Sequence, residues 1–147
     1  MALLLVIGCV VASFFFMTFL VVIFDSLLAK FNVSCNIFWH IFNALLSGAF
    51  AFSAGYFAAW LPLYLGGNIE DSLQSVVGLA MLTAAMSFVC FCGSIFAKSS
   101  GEPMWFHLVL FIVSNIGIMQ GGSQLVPSSL IEQQQYFILN FLSHFRR

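Results

Sequence analysis

Charge is what this sequence has least of. Its 147 residues include four Lys+Arg and five Asp+Glu, 6% in all, where a water-soluble domain carries about 25%. That shortage excludes a globule bathed in water on all sides. The net charge of −1 also excludes a nucleic-acid binder, because phosphate recognition needs a basic footprint. Enzyme signatures are missing too: there is no Gly-rich phosphate loop, nucleophile elbow, zinc-ligand spacing or pair of catalytic carboxylates. Of the four cysteines, Cys90 and Cys92 form CxC, not the CxxC of a thiol exchanger. They read as small buried hydrophobes.

What is present in excess is apolar. Hydrophobic residues make up 62% of the chain, and nineteen are Phe, which excludes disorder. Mean hydropathy is +1.07. A membrane helix needs about 20 mostly apolar residues, and four stretches qualify. Ala2–Phe24 stops at Asp25, and Ile37–Leu61 stops before Pro62. Leu73–Ala97 follows Glu70-Asp71 and ends at Lys98. Met104 to about Val126 opens after Glu102-Pro103 and ends before Pro127, with Gly121-Gly122 an earlier candidate stop. Backbone polar groups in lipid must be satisfied internally, so four such runs are helices. The expected fold is an all-α integral membrane protein. Short connections make consecutive helices antiparallel neighbours.

Beyond Pro127 the character changes. Ser129 and Glu132 have capping-box spacing. At about 100° per residue, Leu130, Phe137, Phe141 and Phe145 share one face, while Glu132, Tyr136 and Asn140 take the other. Residues 127–147 therefore read as an amphipathic helix, lying on the membrane surface or in a partner's groove. Near the other terminus, Val6-Ile7-Gly8-Cys9 looks like a lipoprotein box, but no basic segment precedes it and the apolar run continues far past Cys9. Neither lipidation nor signal cleavage is expected there. Asn32-Val33-Ser34 is a formal glycosylation sequon in a loop too short to use it.

Lys30 and Lys98 fall in the first and third loops, on one side of the membrane, and the second loop carries only Glu70 and Asp71. The positive-inside rule then places both termini on the non-cytoplasmic side. Arg146 and Arg147 would balance the count, but they lie about 20 residues beyond the last span, where the rule weakens.

The most informative pattern is an internal repeat. Ser26-Leu27-Leu28-Ala29-Lys30 precedes Phe38-Trp39-His40, and Ser94-Ile95-Phe96-Ala97-Lys98 precedes Trp105-Phe106-His107. Ser47 and Ser114 lie seven residues past each His, and Gly55 and Gly122 fifteen past. Residues 1–126 thus read as two tandem hairpins, about 1–67 and 68–126, related by an axis along the membrane normal. Coincidence in a low-diversity apolar chain is the competing explanation. On the second helix Ser47, Ala51, Gly55 and Ala59 recur every four residues, and on the fourth Gly117 and Gly121 form GxxxG. Such faces let helices approach closely in lipid, either each other or helices of a partner.

His40 and His107 sit at matched depth about one turn inside their helices. Beside Trp39 and Trp105 they fit interfacial packing and hydrogen bonding. Two sharper readings are a bis-His haem b between the second and fourth helices, and a proton relay or pH-sensitive site. Ser114, Asn115 and Gln120 could line a polar pathway or simply bond helix to helix. No carboxylate falls mid-membrane. The leading expectation is a non-catalytic accessory subunit without a cofactor, binding other membrane subunits and lipid through its small-residue faces. The alternatives are a small homo-oligomeric channel or transporter and, more remotely, a haem-binding subunit.

Overall fold

A computed structural model of the chain describes residues 2–29, 37–97 and 104–126. They form four α-helices: α1 (Ala2–Ala29), α2 (Ile37–Tyr64), α3 (Ile69–Ala97) and α4 (Met104–Ser123). Each holds a segment long and apolar enough to cross a bilayer, namely Leu3–Phe24, Phe38–Tyr64, Ile69–Gly93 and Trp105–Ser123. The chain is a multi-pass membrane protein by that measure. The amphipathic segment 127–147, with Leu130, Phe137, Phe141 and Phe145, lies outside the described residues.

Four helix boundaries differ from the hydropathy reading, each for a local reason. Helix α3 opens at Ile69, not Leu73, with Glu70 and Asp71 in its first turn, where the helix dipole favours acidic residues. Helix α1 runs through Asp25 to Ala29, because a charge ends an apolar span without breaking a helix. Helix α2 passes through Pro62 to Tyr64. Proline removes one backbone donor, which a membrane helix tolerates when its neighbours pack around it, and Pro62 is fully buried. Helix α4 keeps Gly121 and Gly122 within its last turn and ends at Ser123.

The α2–α3 turn is specified residue by residue. Gly66 adopts φ 83°, the left-handed conformation that glycine reaches without a Cβ penalty. Gly67 N–H donates to the Pro62 carbonyl (2.8 Å) and Gly66 N–H to that of Leu63 (3.2 Å), which is a Schellman motif. Two residues later α3 opens with a reciprocal capping box. Asp71 N–H donates to Asn68 Oδ1 (2.9 Å), and Asn68 N–H donates to Asp71 Oδ2 (3.0 Å). Asp71 is a buried carboxylate whose role is to start a helix.

Packing does not follow chain order. The most extensive contact is between α2 and α4, which are not consecutive. They run in the same direction, since Gly48 meets Val113, and Phe52 meets Gly121. Helix α1 lies antiparallel to α2 through Phe16–Phe57 and Phe24–Phe50 ring contacts, and it meets α3 where Val10 abuts Gly78. A buried cluster of Ala51, Ala54, Ala58, Leu73, Val76 and Ile118 fills the end of the bundle that carries the α2–α3 turn. Outward faces of all four helices present large apolar side chains such as Leu4, Phe15, Phe38, Phe88 and Leu108, as lipid-facing surfaces should.

Aromatic side chains cluster at both ends of the bundle, forming two girdles. At one end Trp39 stacks on Phe42, and His40 packs against Trp105 and Phe106. At the other, Phe57, Trp60 and Tyr64 stack in series along α2. Trp39 and Trp60 are 21 residues apart on one helix, about 32 Å at 1.5 Å per residue. That matches a hydrocarbon core of about 30 Å with tryptophans at each interface.

Candidate functional site

Three regions of the bundle hold the residues singled out by sequence. The first is the α2–α4 seam. A Cβ added at Gly117 would meet the Gly48 carbonyl oxygen at 2.6 Å and Ala51 Cβ at 3.0 Å. Gly55 lies directly against the carbonyl of Ile118, and Gly121 against the carbonyl of Phe52, closer than any Cβ could come. Backbone lies on backbone here. Such contact favours dispersion and weak Cα–H···O interactions, the forces available where lipid competes for every apolar contact. Ala51 and Ala59 are fully buried, Gly55 and Gly121 are buried, and Ser47 and Gly117 are half-buried.

The small-residue faces read in sequence as close-packing surfaces, towards each other or towards partner helices. Within this chain those of α2 and α4 lie against each other. Gly48 belongs to the same seam, against Val113, and was not singled out from the sequence. Gly48 was legible as the residue one heptad before Gly55, but a four-residue spacing from Ser47 passes over it.

The second region is the girdle around the two histidines. The His40 ring lies 4.8 Å from that of Phe106, centroid to centroid, and 6.2 Å edge-on from Trp105. His107 instead lines the α3 side of α4 with Ser87, Phe88 and Phe91. The two imidazoles therefore share a depth without facing each other. A bis-His iron between α2 and α4 would have to displace Phe106, which is 2% exposed and packed on His40. The haem geometry is not assembled. Among the described residues no group of three His, Cys, Asp or Glu could hold a metal ion.

Nor do Ser114, Asn115 and Gln120 line one pathway. Ser114 is buried, Asn115 donates to the Phe111 carbonyl of its own helix (2.8 Å), and Gln120 is exposed on the outer surface of α4. Thr18, Ser53 and Thr83 behave like Asn115, donating to the carbonyls of Phe14, Ala49 and Leu79. In lipid this back-bonding satisfies a hydroxyl without any partner helix.

The third region was not singled out. At the α2–α3 turn end, Cys9 and Ser13 of α1 and Asp71, Ser72 and Ser75 of α3 are all buried. Ser13 Oγ and Ser75 Oγ have no hydrogen-bond partner. A buried hydroxyl left unpaired costs about 1–3 kcal/mol. Composition hid this region, since a serine four residues after a capping Asp reads as ordinary helix surface.

No protein-family model matches the chain, and neither a curated protein nor a solved structure matches it. The class its fold defines is a four-helix, multi-pass membrane protein. The seam is its most developed structural feature.

Proposed function

We propose that the chain is a non-catalytic subunit of a larger membrane protein complex. The observation that carries this reading is Gln120, a carboxamide exposed on the outer face of a membrane-spanning helix. Gln120 stands three residues from the end of α4, close to the interface, where a hydrogen bond from a neighbouring helix would satisfy its carboxamide. Tyr56, also exposed, stands beside it, because Gly121 packs on the Tyr56 backbone. The partner surface is thus the outer edge of the α2–α4 seam, with the seam itself holding the two helices rigid beneath it. Back-bonding of Thr18, Ser53, Thr83 and Asn115 favours this reading over a channel, since those groups are already spent.

Two further features complete the proposal. Residues 1–67 and 68–126 are tandem hairpins, and the same-direction register of α2 with α4 supports that relation. The sequence of residues 127–147 has the period of an amphipathic surface helix, and the same proposal puts both termini on the non-cytoplasmic side.

The test is native mass after gentle detergent extraction from the chain's own membrane. A mass far above a few copies of 16.2 kDa, with other polypeptides present and lost on Gln120→Leu, is the expected result. A compact species of this chain alone would replace the proposal with a homo-oligomeric channel or transporter.

A further inference from the structure

The bundle is tight at one end and parted at the other. Beyond the Val10–Gly78 contact, α1, α3 and α4 border an open groove of about 340 Å³. It runs from Phe14 to Val21 on α1 and from Thr83 to Cys90 on α3, about 10 Å along the helix axes. A second groove of about 240 Å³ opens on the outer side of the α3–α4 contact. Ser87 and His107 line both, so these two side chains stand between them.

The lining dictates what fits. Phe14, Met17, Val21, Met86 and Leu110 supply apolar walls. The hydroxyls of Thr18 and Thr83 are turned into their own helices, onto the Phe14 and Leu79 carbonyls. An apolar groove of this kind stays dry, which argues against an aqueous ion path. Among the described residues no Lys or Arg lines it, and its walls offer an anionic headgroup no counter-charge. A helix is about 10 Å across, too wide for a space already walled by three. A groove of about 340 Å³ is on the scale of one short aliphatic chain.

Polarity is graded along the groove. His107 lies two residues from Trp105, at the level of the aromatic girdle, while Thr83 and Phe14 lie deeper. The polar end is at the interface and the apolar end points to the bilayer centre, as an amphiphile in that leaflet is oriented. The two methionines add walls that adapt to an irregular chain.

We propose that this groove is a binding site for a neutral single-chain amphiphile drawn from the bilayer. Its one carbonyl or hydroxyl oxygen lies at Ser87 and His107, and its hydrocarbon body runs past Met17 towards Thr83.

The full chain in phosphatidylcholine nanodiscs would be photolabelled with a twelve-carbon alcohol carrying a diazirine, and the adducts mapped by mass spectrometry. Adducts should concentrate on the lining side chains Phe14, Met17, Val21, Met86 and Cys90, resolved residue by residue from their outward-facing neighbours. Unlabelled dodecanol should compete about five-fold better than dodecane, the discrimination expected of one neutral hydrogen bond. That preference should vanish in a Ser87→Ala, His107→Phe double variant. Leu110→Trp, which fills the groove, should cut labelling at least five-fold; Met17→Phe serves the same purpose if Leu110→Trp does not fold. Adducts spread evenly over the lipid-facing surface of α1, at Phe15 and Phe19 for instance, would overturn the site. Equal competition by dodecane would overturn the role given to the oxygen.

Discussion

Gly55 of α2 rests on the carbonyl oxygen of Ile118 in α4, with no room between them for a single additional carbon. Their contact sets the distance between the two helices that share the largest interface in the bundle. Gly121 against Phe52 repeats the relationship one turn on.

Replacing Gly55 or Gly121 with Ala should therefore push backbone from backbone. The expected loss is about 3 kcal/mol or more, at the upper end of overpacking costs. Gly8, which has nothing within 4 Å of the space a Cβ would take, is the control. Gly8→Ala should be neutral or stabilise by up to about 1 kcal/mol through helix propensity. Unfolding titrations in mixed detergent micelles would compare the three. Equal stabilities would mean that the seam is not closed.

The start of α3 makes a smaller and separable prediction. Asn68→Ala removes the side-chain acceptor for Asp71 N–H, and should cost about 1 kcal/mol. Asn68→Asp should keep most of it, because a carboxylate caps as well as a carboxamide. Hydrogen exchange at residues 69–72 reads the effect locally. Unaltered exchange in Asn68→Ala would show that the box contributes nothing.

Ser75→Ala should behave opposite to most core substitutions. Its hydroxyl is buried and unpaired, so deleting it should be neutral or stabilise by about 1 kcal/mol. A clear destabilisation in the same titration would mean that an internal water occupies the site.

The thiols should separate by reactivity. Cys9 is buried at 1% exposure, whereas Cys90 is exposed and Cys92 half-buried. Among Cys9, Cys90 and Cys92, a lipid-soluble maleimide should modify Cys90 first and Cys9 only on unfolding. Peptide mass spectrometry would give the order, and early labelling of Cys9 would contradict the packing of α1.

The four spans were legible because charge scarcity and length are properties of composition, which tertiary context cannot alter. Helix ends were less so. Pro62 is a strong helix stop in water and Asp25 ends an apolar run, but α2 and α1 continue through them. Glycine and alanine spacing on α2 and α4 showed that both helices have a close-packing face. It could not show that each face meets the other, since which helices pair is a property of the whole bundle. His40 and His107 illustrate the same limit: their depth was readable from sequence spacing, but the direction each ring faces depends on Phe106, a neighbour with no chemical signature.

The dominance of the α2–α4 interface also bears on biogenesis. While the ribosome is still making α3, the glycine face of α2 has no mate, and its first 37-to-64 segment must wait for a helix beginning at Met104. Insertion can proceed span by span, but closure of the bundle is a late event that requires nearly the entire chain. A truncated product ending after α3 would leave Gly48, Gly55 and the surrounding alanines open in the membrane, a surface that quality-control machinery or a stray helix could occupy.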